Sequence, residues 1–189
     1  MARSSRYELA RLIYSSMFLS LAILLPFLTQ IKPISAAFCL MHLPVLICGF
    51  VCGPIWGMAV GITAPLLRSV LYGLPVLFPN AFGMAFELAT YAFVAGTLYK
   101  KLNKNVFWYY VSLVSAMVAG RIVWGLVWTA LLLTESAEGT LAFSFFWGKT
   151  VVDSIPGIIV QLVLIPIIID VLKKGVEYNE KNCYNKKNT

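Results

Sequence analysis

The segment VFWYYVSLVSAMVAGRIVWGLVWTALLL, Val106 to Leu133, contains a single charged side chain, Arg121. A helix that is apolar on every side belongs in the core of a large protein or in a membrane, and a chain of 189 residues builds no core large enough. About 20 apolar residues cross the hydrocarbon of a bilayer, so this run suffices. The whole composition agrees with it. The chain is 60% hydrophobic and 12% charged, with a mean hydropathy of +0.82, whereas a soluble globular chain carries about 25% charged residues. A cytosolic enzyme, a nucleic-acid module and a disordered chain are excluded, and the solvent is a bilayer.

Working outward from this span, the polar loop Lys100 to Asn105 separates it from a fourth span, Asn80 to Tyr99. The loop Gly73 to Pro79 precedes that, then a third span, Ile55 to Tyr72. A Gly53-Pro54 break divides the third from a second span, Ser35 to Val51. The turn Thr29 to Pro33 leads back to the first, Leu12 to Leu28. On the other side, the loop Thr134 to Thr140 leads to a sixth span, Phe145 to Leu172. The expected fold is an all-α integral membrane protein with six transmembrane helices. Residues 1–176 form one membrane domain and 177–189 a polar, basic tail. Ser35-Ala36-Ala37 resembles a weak signal-peptidase site, but the run before it is long for a signal and reads as an uncleaved first span.

The net charge of +7 reports topology. Arg3, Arg6 and Arg11 precede the first span, Lys100, Lys101 and Lys104 share one loop, and Lys173, Lys174, Lys181, Lys186 and Lys187 lie in the tail. Basic residues concentrate in cytoplasmic segments near membrane ends. Six spans put these three places on one side, so both termini are expected in the cytoplasm of a bacterial cell, with the chain in its plasma membrane. No nucleic-acid partner is implied. Cys48 and Cys52, one helical turn apart, read as small packing residues rather than a disulfide. No internal repeat points to an inverted-repeat transporter.

Charges inside spans are expensive and mark functional sites. With this topology Arg68, Glu87, Lys149 and Asp153 fall in the outer half of the membrane, Arg121 near its middle, and His42 in the outer half of the second helix. A relay across the bilayer needs polar groups at every depth, whereas a cavity open to the outside needs them where they are here. A bland reading stands beside each. Lys149 and Asp153 can pair at i, i+4, Glu87 and Arg121 can form a buried salt bridge, Arg68 can snorkel to headgroups, and His42 can pack or cap. Three cations against two anions favour an anionic ligand. Trp124 and Trp128 share the Arg121 face of the fifth helix and Tyr91 lies one turn beyond Glu87, offering stacking surface. Asn80 heads the fourth span and completes the candidate set. Phe145, Phe146 and Trp147 read as an interfacial belt.

With one histidine the chain cannot build a multi-histidine metal site, and it contains neither G-x-S-x-G nor a phosphate-binding Gly-Lys loop. No cofactor of its own is expected, and ATP-driven work falls to another chain. Gly53, Gly57 and Gly61 recur every four residues, as do Ser16 and Ser20, spacings that admit a close helix. For the glycines that helix is intramolecular; for the serines it is either this chain or another membrane protein.

Met41-His-Leu-Pro-Val-Leu-Ile-Cys-Gly-Phe50 followed by Cys52-Gly53-Pro54 resembles the second helix of the substrate-binding S components of energy-coupling factor (ECF) vitamin transporters. Gly57 to Gly61 with Pro65 to Ser69 resembles their third helix, and Phe86 to Tyr91 through Ala95-Gly96 their fourth. The resemblance is dense over Leu12 to Tyr99 and beyond that rests on span lengths. It implies a six-helix subunit that binds a vitamin or precursor from outside and docks on a module of one membrane coupling protein and two ATPases. The family docks through Ala-x-x-x-Ala on the first helix. Ser16 and Ser20 match those positions, keeping the small size without the alanine. Family pockets are lined by outer loops and the last three helices, which coincides with the outer-half cluster.

The sequence therefore leads to a non-enzymatic capture subunit. Arg121, Glu87, Lys149, Asp153, Arg68 and Asn80 would supply polar contacts, and Trp124, Trp128 and Tyr91 would pack the ligand. The loops Gly73 to Pro79 and Thr29 to Pro33 would close over it. Pantothenate suits the cationic excess and riboflavin the tryptophans. Two rivals are a stand-alone permease and an intramembrane enzyme using Glu87 or Asp153 as acid or base.

Overall fold

A computed structural model describes residues 2–28, 40–102, 106–135, 157–169 and 171. They form helices α1 (Ala2–Leu28), α2 (His42–Val51), α3 (Pro54–Tyr72), α4 (Phe82–Lys101), α5 (Val106–Glu135) and α6 (Gly157–Ile169), with a π-turn at Leu77–Ala81 before α4. The described residues contain no strand. Three segments, Glu8–Pro26, Pro54–Tyr72 and Phe107–Ala130, are long and apolar enough to cross a membrane. α4 has the length, 20 residues, but carries Glu87. α2 and the described part of α6 are shorter apolar helices. The described residues are thus all-helical, and the chain is a multi-pass membrane protein.

The punctuation between helices follows from backbone chemistry. Gly53 adopts φ +102°, and Pro54 at the first position of α3 supplies a preset φ and lacks an N–H that would have no partner there. Cys52 closes α2 by donating its N–H to the Cys48 carbonyl at 2.8 Å. At the other end of α3, Gly73 takes the left-handed conformation, φ +68°, and donates to the Ser69 carbonyl at 2.9 Å, a glycine stop of the usual kind. α4 starts at Phe82 rather than Asn80, because Phe78 is extended and the chain winds through the π-turn first. α1 begins ten residues before the apolar run, at Ala2, since a helix continues into water where its hydropathy no longer identifies it. Of the predicted second span, residues 35–39 lie outside the described residues.

α4 is the central packing element, against α2, α3 and α5, while α1 packs on α2 and α3. α2 is enclosed: every residue from Met41 to Phe50 is buried, which is why it reads apolar on all faces. Its thiols Cys48 and Cys52 are buried and reduced in this core. Glycines let α2, α3 and α4 meet backbone to backbone. A Cβ at Gly49 would stand 2.6 Å from the Ala92 carbonyl oxygen, one at Gly57 2.6 Å from the Gly49 Cα, and one at Gly96 2.6 Å from the Gly49 oxygen. The glycine repeat read from the sequence is accordingly intramolecular. Neither backbone can move alone, so Gly49→Ala is expected to cost about 1–3 kcal/mol. That corresponds to a fall in Tm of roughly 2–12 °C; an unchanged melting curve in detergent would refute this close approach.

Toward the α5 start, Tyr99 and Tyr109 stack at 4.9 Å and share a 2.8 Å hydrogen bond between hydroxyls, with Phe50 edge-on to Tyr99 at 5.4 Å. Ser112 donates to the Ala95 carbonyl at 2.9 Å. These contacts fix the register of α5 on α4, and that register builds the site further along the same two helices.

Candidate functional site

Gly83, Glu87 and Tyr91 recur every four residues and so form one stripe along α4. The stripe faces α5, where Gly120, Arg121, Trp124 and Trp128 lie, while Val118, Ile122 and Leu126 of α5 turn to the exposed side. Glu87 is 3% exposed. Its Oε1 accepts a hydrogen bond from the Tyr91 hydroxyl at 2.7 Å and lies 3.4 Å from Arg121 Nε. The buried carboxylate is thus held by one neutral donor and one cation. Of the two readings open for Glu87 and Arg121, the salt bridge is present.

The aromatic groups surround this pair. Trp124 is buried and meets Trp128 with ring centroids 5.8 Å apart. His42, from the first turn of α2, lies 5.5 Å from the Tyr91 ring and is itself buried. Arg121 differs from its partner: its side chain is 21% exposed. The more exposed member of the pair is therefore a guanidinium, whose planar fork of donors matches a carboxylate or phosphate. The cluster can pair an anion at one end and stack an apolar or flat body on indole.

Two glycines that sequence reasoning passed over make these contacts possible. A Cβ on Gly120 would overlap the Tyr91 ring, and one on Gly83 would come 3.0 Å from Trp128 Nε1 and 3.4 Å from Trp124 Nε1. The usable signal was the four-residue step from Gly83 to Glu87 and the adjacency of Gly120 to Arg121. Gly120→Ala is expected to destabilise the wild-type chain and to cost less beside Tyr91→Ala, which removes the clashing ring atoms and leaves the Glu87 carbonyl oxygen at 3.1 Å. The coupling should fall within about 0.5–3 kcal/mol. Equal effects in both backgrounds, measured by thermal unfolding, would show that Gly120 does not act through Tyr91.

The other candidates are dispersed. Arg68 is half-buried on α3, and no salt bridge joins it to the cluster among the described residues. Asn80 is exposed on the π-turn. Lys149, Asp153, Phe145, Phe146, Trp147 and the loop 29–33 lie outside the described residues. Ser16 and Ser20 are exposed on α1, far along the chain from this cluster and on a different helix. A groove of about 220 Å³ between α3 and α4 is lined by Ile62, Leu66, Phe82, Ala85 and Phe86. It has no polar lining and opens on exposed apolar residues, so it has the character of a lipid-facing surface.

Against known proteins, the sequence model described as "ECF transporter, substrate-specific component" matches residues 10–169. No curated protein and no solved structure matches.

Proposed function

We propose that this chain, which belongs to the family of substrate-specific components of ECF transporters, captures a vitamin or related small molecule from the outer side and delivers it to an ATP-driven module. The family match covers the role of substrate-specific membrane subunit; the ligand class is read from the site. The observation that carries it is the Glu87–Arg121 pair, held by Tyr91 and flanked by Trp124 and Trp128. Buried ionic groups in a membrane bundle need a purpose beyond stability, and here the cationic member is the accessible one. The ligand has an anionic or carboxylate end for Arg121 and an apolar or flat body for the indoles; pantothenate and riboflavin each satisfy one half of that description.

In this reading six spans place both termini and the Lys100–Asn105 loop in the cytoplasm, in line with the clustered basic residues. Glu87, Arg121 and Trp124 then lie between the middle and the outer side. Lys149, Asp153, Arg68 and Asn80 add polar contacts from the same side. The partners are a membrane coupling protein, docked through Ser16 and Ser20, and two ATPases that hydrolyse the ATP.

The test is mass spectrometry of small molecules released from the purified chain in detergent. A single stoichiometric vitamin-like compound is the expected result. Binding energy spent on a preorganised site should let the compound survive purification. If the chain releases nothing and binds no labelled vitamin, the capture role fails.

A further inference from the structure

α6 reads GIIVQLVLIPIII from Gly157 to Ile169, and Gln161 is its one polar side chain. Gly157, Gln161, Ile165 and Ile169 stand four residues apart on one face, and all four are buried. Ile165 and Ile169 belong to the bundle core, and Ile158 and Leu162 pack against it. Gln161 is therefore turned into the protein, 2% exposed, and not toward lipid. Its Oε1 accepts no hydrogen bond among the described residues. A second acceptor lies next to it in the chain. Pro166 is buried in the same helix and has no N–H to return to the Leu162 carbonyl. A buried acceptor such as Gln161 Oε1 in an apolar, water-poor interior calls for a donor, because a buried polar group left unpaired is destabilising.

We infer that Gln161 is a ligand-binding residue, accepting a hydrogen bond from an N–H or O–H of the captured molecule. This rests on the capture reading above. In that topology α5 runs outward and α6 inward. Arg121 then lies one turn outward of Met117, and Gln161 one turn outward of Ile165; Met117 and Ile165 are both core residues. Both polar groups also stand close to the middle of their predicted spans, Val106–Leu133 and Phe145–Leu172. By their places in those predicted spans the two are expected at a similar depth, and they offer complementary chemistry: a cation from α5 and a neutral acceptor from α6. The substrate class narrows to molecules that carry an anionic group and, separated from it, an amide, amine or hydroxyl donor.

The experiment compares the full chain with Gln161→Leu, which keeps the bulk and removes the acceptor. Two quantities are read: the melting temperature of the ligand-free protein, and affinity for a labelled panel of riboflavin, thiamine, pantothenate, biotin and folate. The expected result is an empty variant that melts at or above wild type, since an unsatisfied acceptor has been replaced by a matching apolar group. The vitamin that wild type binds should bind roughly tenfold more weakly. A lower melting temperature in the empty variant would mean that a group of the chain itself already satisfies Gln161, and the inference falls. Unchanged affinity overturns it as well. A wild type that binds none of the five and releases none defeats the capture reading itself, and this inference with it.

Discussion

Replacing both Ser16 and Ser20 by tryptophan is expected to reduce module-driven uptake to background while leaving ligand capture unchanged. The two serines stand on the exposed side of α1 beside Leu9, Leu12, Ile13, Met17 and Leu24, all themselves exposed. Each hydroxyl is turned back onto its own helix, Ser16 Oγ donating to the Ile13 carbonyl at 2.8 Å and Ser20 Oγ to the Ser16 carbonyl at 3.0 Å. With the O–H so satisfied, serine offers a partner much the same small, nearly apolar surface that alanine would. On the docking reading, these serines would keep the small surface of the alanine motif they replace. Neighbouring Ser15 is the contrast, buried and bonded to the Arg11 carbonyl, so it serves the inside of the fold. Small residues at a four-residue spacing admit a second helix by close packing, and two indoles would hold that helix several ångströms away. Neither position touches the Glu87–Arg121 cluster, so the affinity for a vitamin should stay within error of wild type. Normal uptake by the double variant would remove α1 from the docking role.

The sequence was most readable where a residue has few conformational choices. Gly53-Pro54 and Gly73 punctuate the helices as expected, since only glycine adopts these φ values without strain and proline fits the first turn. The pairing of Glu87 with Arg121 was one of two open readings, because isolated charges in a bilayer either pair or serve a ligand. What could not be read is of two kinds. The start of α1 at Ala2 was hidden because hydropathy reports burial in lipid, not helicity. Gly83 and Gly120 were hidden because their contribution is the absence of a side chain. Their importance appears only when the Tyr91 ring and the Trp128 indole are seen in the space left open. Gln161 was missed for a related reason. An amide in an apolar run is a small perturbation of hydropathy, and its meaning depends on which way it faces.

Arg121→Leu is expected to be the most damaging single change at the site, and Glu87→Leu combined with it to restore much of the lost stability. Removing one member of a buried ion pair strands the other, typically at about 3–5 kcal/mol, whereas replacing both by apolar groups is often neutral or better. The two single variants should not be equal. Arg121→Leu leaves a carboxylate that is 3% exposed, held by the neutral Tyr91 hydroxyl and stripped of its cation. Glu87→Leu leaves a guanidinium that is 21% exposed and long enough to shift toward water. The order of melting temperatures is therefore Arg121→Leu lowest, Glu87→Leu intermediate and the double variant near wild type, with a drop of roughly 10 °C for the first. Capture separates the structural from the functional reading of the same pair. If Arg121 touches the ligand, the double variant folds yet binds at least about tenfold more weakly, the scale of a single hydrogen bond to a charged group. Arg121→Ala should weaken affinity to the same degree. A double variant that is both stable and fully competent in capture would reduce the pair to a helix-to-helix clamp. The anionic group of the substrate would then have to be met elsewhere.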